Sequence, residues 1–260
     1  MSDSVRLTVE GGVARLVLDR PARLNAIDFE AGEAFRDAAL DATRSSSVRA
    51  IVLEGEGPAF CAGGDVLAMA GARASGAEVT RMAETIHDGI GALVGSALPI
   101  VSAAHGAVAG GGIGVMLAAD YVVAGRDLKV MAKYANVGLT PDLGVSTLLT
   151  DAVGRRRALQ LLLSDTVLDA DRAFDWGMVA EIADDPRARA YDVAAAWAAG
   201  PWRALGQAKR LVHAGATRPR SASFDDEAAT IGAAFASHEA QDRIAAFAEA
   251  SRARTAGRER

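Results

Sequence analysis

The stretch AVAGGGIGVMLAAD, residues 107–120, sets three glycines in a row and a fourth one residue later, at Gly114. Glycine loses more backbone entropy on folding than any other residue, so a glycine run is retained where backbone must approach something closely. A buried strand is predicted just before the stretch, at residues 99–105, and an apolar helix within it, at residues 111–119. A strand, a tight glycine turn and a helix in succession are typical of an α/β fold.

Strands and helices alternate on both sides of this stretch as far as about residue 182, and helices alone follow. Predicted strands lie at residues 6–19 (a hairpin around Gly11-Gly12), 48–55, 120–124 and 128–131. Predicted helices lie at residues 28–44 with Asp28 as N-cap, at 77–97, and at 143–163 with a break at Gly154. The later helices are predicted to break at Gly200-Pro201 and Arg218-Pro219. We therefore predict an α/β core at residues 1–195 and a C-terminal helical region at residues 196–260.

The composition excludes several classes of protein. The 260 residues are 50% hydrophobic, which suffices for one large core, and the net charge of −5 argues against a nucleic-acid surface. There is no apolar run of 18 residues and no signal-peptide pattern at the start, so neither a membrane span nor secretion is expected. The single cysteine, Cys61, excludes an internal disulfide and fits a reducing cytoplasm.

The motifs also exclude common cofactor and metal sites. The glycine run is not G-x-G-x-x-G, because the sixth residue from Gly110 is Val115, and there is no P-loop and no G-x-S-x-G. The four histidines are scattered, so a zinc site is not expected. We expect neither a metal nor a separate cofactor.

Two glycine-rich loops remain, each following a predicted strand: FCAGGD at residues 60–65 and AGGGIG at residues 109–114. The second leads into a helix, whose N-terminus offers unpaired N–H donors. Two such loops could direct two backbone N–H groups at one oxygen that gains negative charge, forming an oxyanion hole. The alternative is that both are tight turns where helices pack closely on strands.

Five motifs in order identify a family resemblance: RPARLNAI (20–27), PAFCAGGDV (58–66), HGAVAGGGIGVMLAADYVVA (105–124), VGLTPDLGVSTLL (137–149) and DWGMV (175–179). The set resembles the crotonase superfamily, also called the enoyl-CoA hydratase/isomerase family, from about residue 6 to residue 250. The resemblance implies an α/β fold built as a spiral of ββα units, with a C-terminal α-helical region used in trimerisation. It also implies an acyl-CoA thioester as substrate, coenzyme A only as part of that substrate, and a homotrimer or a hexamer made of two trimers.

The resemblance also assigns roles to particular residues. The amides of Gly64 and Gly111 would form the oxyanion hole for the thioester oxygen. Candidates for binding coenzyme A or the acyl group are Arg23, Leu24, Ala62, Gly63, Asp65, Gly110 and Lys209, among which Asp65 is expected mainly to shape its loop.

The chain departs from the hydratase pattern at both catalytic glutamates, because those positions hold Gly114 and Tyr134. Water addition needs both water activation and proton delivery, so ordinary hydration is not expected. Asp142 matches the acid/base carboxylate of several isomerases of the superfamily, and one carboxylate suffices for a 1,3-proton shift. The alternative for Asp142 is an N-cap of the helix that follows it.

Other functions remain open at this point. The dehalogenase branch of the superfamily, which acts on 4-chlorobenzoyl-CoA, has an aspartate matching Asp142, a histidine matching His87 and a tryptophan where this chain has Tyr134. It has a phenylalanine in place of Gly64, which argues against that reaction here. His87 has a structural role as its alternative, and Tyr134 either hydrogen-bonds Asp142 or the acyl chain, or forms an apolar wall. Ring isomerisation and weak hydration are further reactions of the superfamily that stay open. A non-catalytic acyl-CoA binding protein is the remaining hypothesis.

Overall fold

The computed structural model of the chain describes residues 4–258. The strands in this part of the chain are β1 (Val5–Glu10), β2 (Val13–Leu18), β3 (Ala50–Gly55), β4 (Ile100–Ala104), β5 (Ala107–Ala109), β6 (Tyr121–Gly125), β7 (Lys129–Met131), β8 (Val167–Asp169) and β9 (Glu181–Ala183). The helices are α1 (Phe29–Arg44), α2 (Val66–Gly71), α3 (Gly76–Gly95), α4 (Gly112–Leu117), α5 (Val145–Leu162), α6 (Ala170–Asp175), α7 (Pro186–Ala199), α8 (Trp202–Gly215), α9 (Arg220–Phe235) and α10 (His238–Arg258).

The strands form two sheets, which confirms the predicted α/β class. The larger sheet has the order β1-β2-β3-β4-β6-β9, and its strands are parallel except for the β1–β2 hairpin. The smaller sheet has the order β5-β7-β8, with β5 parallel and β8 antiparallel to β7. Parallel neighbours require crossover connections, and here helices supply most of them.

Central strands of the larger sheet are buried on both faces. In β3, Ile51 and Leu53 face the main core, while Ala50 and Val52 face a second apolar cluster, because successive side chains alternate between the faces of a strand. Helix α7 covers the second face with three buried alanines, Ala190, Ala194 and Ala198. Alanines spaced by four residues share one face of a helix, so this helix can lie close to the sheet.

Most predicted elements are confirmed within a few residues, together with their local signals. Asp28 accepts a hydrogen bond from the amide of Ala31 and caps α1, and Gly154 has a φ of +75° and interrupts α5. The apolar helix predicted at residues 111–119 is shorter, spanning Gly112–Leu117. The prediction missed the short elements β5, β8, β9, α2 and α6, since three to six residues carry too little periodicity to be recognised.

The chain divides into two compact units, one ending at Trp202 and one beginning at Arg203. Helix α7 belongs to the first unit because it packs across β3, β4 and β6. The predicted boundary after residue 195 falls inside α7, so the compact units differ from the predicted division by one turn of helix and a short linker. In the described part of the chain, no helix is long and apolar enough to span a bilayer.

The close contact of α7 with the sheet gives a stability prediction. Ala194→Leu inserts bulk where the residue is fully buried, and overpacking of this kind costs about 1–3 kcal/mol. Equilibrium unfolding in urea measures the change. Ala196→Leu, at an exposed position of the same helix, is the matched control and should change the free energy of unfolding little. Equal effects of the two variants would contradict this account of the packing.

Candidate active site

Backbone hydrogen bonds hold the two glycine-rich loops side by side. The amide of Cys61 donates to the carbonyl of Ala107 at 3.2 Å, and the amide of Ala109 donates to the carbonyl of Cys61 at 3.0 Å. Cys61 thus pairs with β5 in the parallel sense. A Cβ on Gly63 would lie 2.7 Å from the carbonyl oxygen of Ala109 and 3.1 Å from the amide nitrogen of Gly111. The fold therefore brings the two predicted oxyanion loops together.

Gly64 and Gly111 each present a backbone amide that donates to no acceptor among residues 4–258. The amides just before them are satisfied, since Gly63 donates to Sγ of Cys61 and Gly110 donates to the carbonyl of Met131. An unpaired amide away from water is unfavourable, and a ligand atom is one way to satisfy it. Two such amides on adjacent loops suit an oxygen that gains negative charge.

Asp142 lies beside the second glycine loop. A Cβ on Gly111 would lie 3.4 Å from Oδ1 of Asp142. The hydroxyl of Tyr134 donates to that same Oδ1 at 2.7 Å, and the amide of Asp142 donates to the hydroxyl oxygen at 3.3 Å. Helix α5 is capped by Gly144 without a side-chain hydrogen bond, so the alternative of Asp142 as an N-cap is wrong.

Tyr134 orients the Asp142 carboxylate. The tyrosine is 9% exposed, and its burial raises the pKa of the hydroxyl, with a further increase from the neighbouring carboxylate. The hydroxyl therefore remains protonated at neutral pH and continues to donate. Among the contacts predicted for Tyr134, the structure shows the hydrogen bond to Asp142. Oδ2 of Asp142 accepts no hydrogen bond from the described residues.

His87, on α3, contacts the residue next to Asp142. Its Nε2 accepts a hydrogen bond from the amide of Leu143 at 3.0 Å. A ring nitrogen that accepts carries no proton, so in the neutral ring the proton is on Nδ1. His87 thus ties α3 to the turn before α5, and its catalytic role stays a prediction.

Leu143 is a site residue that the sequence analysis missed. A Cβ on Gly111 would lie 2.5 Å from Cδ1 of Leu143, so the leucine side chain lies against the same glycine as the Asp142 carboxylate. A Cβ on Gly114 would lie 1.8 Å from the carbonyl oxygen of Leu143, which leaves no room for a side chain there. A leucine before a glycine carries no sequence signal for either contact.

Asp65 shapes the first loop, as predicted. Its Oδ1 accepts a hydrogen bond from the amide of Ala68 and caps α2, and both of its oxygens accept from the guanidinium of Arg23, at 2.8 and 3.2 Å. Burial of Asp65 acts to raise its pKa, but the hydrogen bonds from Arg23 and Ala68 outweigh it and leave the pKa below its usual range. Asp65 is therefore held as a carboxylate.

The other candidates for coenzyme A binding occupy different positions. The amide of Ala62 donates to the carbonyl of Leu24, a residue that is 43% exposed, and both lie on the first-loop side of the site. Gly110 precedes Gly111 in the second loop with a φ of +49°. Lys209 is a buried residue of α8, in the second compact unit. Their roles toward coenzyme A stay predictions.

Asn25 is a second residue that the sequence analysis missed. It is buried, its side-chain amide donates to the carbonyls of Glu56 and Ala59, and its backbone carbonyl accepts from Sγ of Cys61. Burial raises the pKa of the Cys61 thiol to about 12, so this cysteine is not a thiolate nucleophile. Asn25 thus anchors the loop that carries Gly64.

The ion pair of Asp65 gives a pH-dependent prediction. Asp65→Asn keeps a capping side chain but loses the charge, and should lower the free energy of unfolding by about 1–3 kcal/mol at neutral pH. The depressed pKa means that this contribution is complete above the ordinary carboxyl pKa of about 4 and is lost as the pH falls through the lower folded value. Urea unfolding of both proteins from pH 7 to pH 3 should show the difference narrowing with acid.

Asp37→Asn is the control for that measurement, because Asp37 is paired with Arg36 but 62% exposed and should contribute little. A difference between wild type and Asp65→Asn that stays constant with pH would contradict the ion-pair account.

Known proteins provide an independent comparison. The family model for enoyl-CoA hydratase/isomerase matches residues 8–257. The chain is 34% identical over 215 residues to a probable enoyl-CoA hydratase of Mycobacterium tuberculosis, covering 83% of each protein. It is 29% identical to the 1,2-epoxyphenylacetyl-CoA isomerase of Escherichia coli, covering 87% of this chain and 88% of the relative.

The fold has close counterparts among solved structures. The crystal structure of a probable enoyl-CoA hydratase/isomerase from Mycobacterium abscessus is 32% identical and aligns with a TM-score of 0.90, covering 94% of this chain and 96% of that one. This agreement confirms the predicted crotonase fold with its C-terminal helical region. The chain belongs to the enoyl-CoA hydratase/isomerase family.

Proposed function

We propose that the protein shifts the double bond of an enoyl-CoA by a 1,3-proton transfer, with Asp142 as the single acid/base. The observation that carries this proposal is the position of Asp142, whose Oδ1 would lie 3.4 Å from a Cβ on Gly111. The carboxylate is therefore next to one of the two unpaired amides. A base beside an oxyanion site suits removal of a proton from the carbon next to a thioester.

The two glycine amides would bind the thioester oxygen. Negative charge develops on that oxygen when the C2 proton leaves, and the amides of Gly64 and Gly111 would stabilise the resulting enolate more than the ground state. Removal of one donor from such a pair typically lowers the rate by about 10²–10³. Neither donor has another acceptor among the described residues, which leaves both available.

Asp142 would take the proton from C2 of a 3-enoyl thioester and return it to C4. Loss of the C2 proton places the electrons in a dienolate that extends from the thioester oxygen to C4. Protonation at C4 then yields the 2-enoyl thioester, and Asp142 is again ionised. Tyr134 occupies Oδ1, so Oδ2 is the oxygen available for the proton.

The same contacts argue against hydration as the main reaction. The space at Gly114, where hydratases of this family carry a glutamate, is filled by the carbonyl of Leu143. Tyr134 stands at the second glutamate position and already donates to Asp142. An isomerase among the relatives supports the proposal, although a relative named as a hydratase shares more of the sequence.

Coenzyme A, as part of the substrate, is proposed to lie along the first loop. Arg23 uses Nε and Nη2 for Asp65 and is 44% exposed, which leaves Nη1 for a phosphate oxygen. Leu24, Ala62, Gly63 and Gly110 would supply backbone contacts. No separate cofactor enters this mechanism.

The central prediction concerns Asp142. Asp142→Asn should lower kcat for a 3-enoyl-CoA by about 10²–10⁴, because the acid/base is lost, with KM changed only slightly. Tyr134→Phe should lower kcat less, since it removes one hydrogen bond from the carboxylate. Formation of the conjugated 2-enoyl thioester, followed by absorbance, measures both. Asp151→Asn, at an exposed position of α5, is the matched control; full activity of Asp142→Asn would overturn the assignment.

We also propose a homotrimer or a hexamer of two trimers. Helices α9 and α10 leave large apolar side chains exposed in the single chain: Phe224, Ile231, Phe235, Ile244 and Phe247. Several large apolar side chains exposed on two successive helices are typical of a protein–protein interface. Light scattering coupled to size-exclusion chromatography should give three or six times the mass of one chain, and Phe235→Asp should shift it toward the monomer. A monomeric wild-type protein would contradict the proposal.

A further inference from the structure

Leu143 has a backbone conformation that its residue type disfavours. Its φ is +49°, in the left-handed region, where a large side chain strains the backbone. Glycine would adopt this conformation without strain, and glycine is the next residue in the chain. Strained residues concentrate at functional sites, where the surrounding structure holds them in place. A leucine at this position therefore calls for an explanation in terms of its side chain.

The side chain lies against Gly111, on the side where the Asp142 carboxylate also approaches that glycine. Leu143 is 1% exposed, and the three atoms nearest to a Cβ on Gly111 are its Cδ1 at 2.5 Å, its Cγ at 3.0 Å and Oδ1 of Asp142 at 3.4 Å. An apolar side chain thus covers the surface of Gly111 next to the carboxylate. Space filled by packed carbon atoms does not hold water.

The backbone of Leu143 is fixed on both sides of that side chain. Its amide donates to Nε2 of His87 on α3, at 3.0 Å. Its carbonyl oxygen lies against Gly114 of α4, at 1.8 Å from the position of a Cβ there. Two elements therefore hold the leucine in its strained conformation, which accounts for how the structure tolerates it.

We infer that Leu143 determines the reaction specificity of the site by keeping water from the space beside Gly111 and the Asp142 carboxylate. This inference rests on the proposed function. With water excluded, the proton that Asp142 removes from C2 has no exchange partner and returns to the carbon chain at C4. The product is then an isomer that retains the substrate's own hydrogen.

Admitting water to this space would open a second reaction at the same carboxylate. Asp142 would take a proton from water while the water oxygen forms a bond to C3 of a 2-enoyl thioester. The electron pair of the C2–C3 double bond would move to give the enolate held by the two amides, and Asp142 would return the proton to C2. One water is added, no oxidant is needed, and the product is a 3-hydroxyacyl thioester.

The test compares wild type with Leu143→Ala and Leu143→Asn. Leu143→Ala removes the apolar atoms that cover Gly111. Leu143→Asn keeps most of the side-chain volume, but it tolerates a positive φ and attracts water. In D₂O, wild type should place little deuterium at C4 of the isomerised product, and both variants should place several-fold more. In H₂¹⁸O with a 2-enoyl-CoA, the variants should form ¹⁸O-labelled 3-hydroxyacyl-CoA and wild type should form little or none.

Leu149→Ala is the matched control, because Leu149 is a fully buried leucine of α5 whose atoms are not among those nearest to a Cβ on Gly111 or Gly114. It should lower the urea concentration at the midpoint of unfolding, because it leaves a cavity, without changing the isotope pattern. Deuterium and ¹⁸O incorporation equal to wild type in the active Leu143 variants would overturn the inference.

Crystal structures of wild type and the Leu143 variants separate this inference from the proposed function. If wild type isomerises no enoyl-CoA, the proposed function fails, and water positions still decide the role of Leu143. An ordered water in the space that the Leu143 side chain occupies beside Gly111, present in the variants and absent from wild type, is the expected result. The same water content in all of them would contradict the exclusion of water.

Discussion

Two backbone hydrogen bonds at Cys61 are the interaction on which the candidate site depends. They pair the first glycine loop with β5, the strand that leads into the second loop. Without this pairing, Gly64 and Gly111 would belong to separate turns after separate strands. With it, their amides lie on adjacent loops, and both lack an acceptor among the described residues. The burial of Cys61 and its thiol contact with Asn25 stabilise the same junction.

The turn before α5 completes the site by packing against α4. Gly112 and Gly114 make this possible, since a Cβ on either would lie about 2 Å from a backbone oxygen, of Cys61 or of Leu143. Helix α4 is thus wedged between the first loop and the turn that carries Asp142. The glycine run is explained by these close approaches on two sides as well as by the amide of Gly111. The same glycine run is therefore needed both for the candidate oxyanion site and for the close packing of α4.

Sequence analysis located the acid/base candidate and its tyrosine but not the leucine that lies against Gly111 beside the carboxylate. Asp142 and Tyr134 were identified through the family resemblance, as the positions that match the isomerase acid/base and the second hydratase glutamate. Leu143 and Asn25 were not, because their importance lies in contacts with residues distant in the chain. His87 was noticed only through a resemblance, and its hydrogen bond to the amide of Leu143 connects α3 with the turn. Short elements such as α2 and β5 were missed because they are too short to show the repeat of apolar residues that indicates a helix or a strand.

The sequence by itself determined the α/β class, the two glycine loops, the family and the absence of carboxylates at positions 114 and 134. These properties are local. Each can be read from the sequence itself, without knowing which residues contact one another in the folded chain. The tertiary structure decided that Asp142 binds Tyr134 and does not cap a helix, and that Leu143 fills the space beside Gly111 and Gly114. Those facts depend on which atoms meet across the fold, and only the packing of β5, α4 and the turn before α5 brings them together.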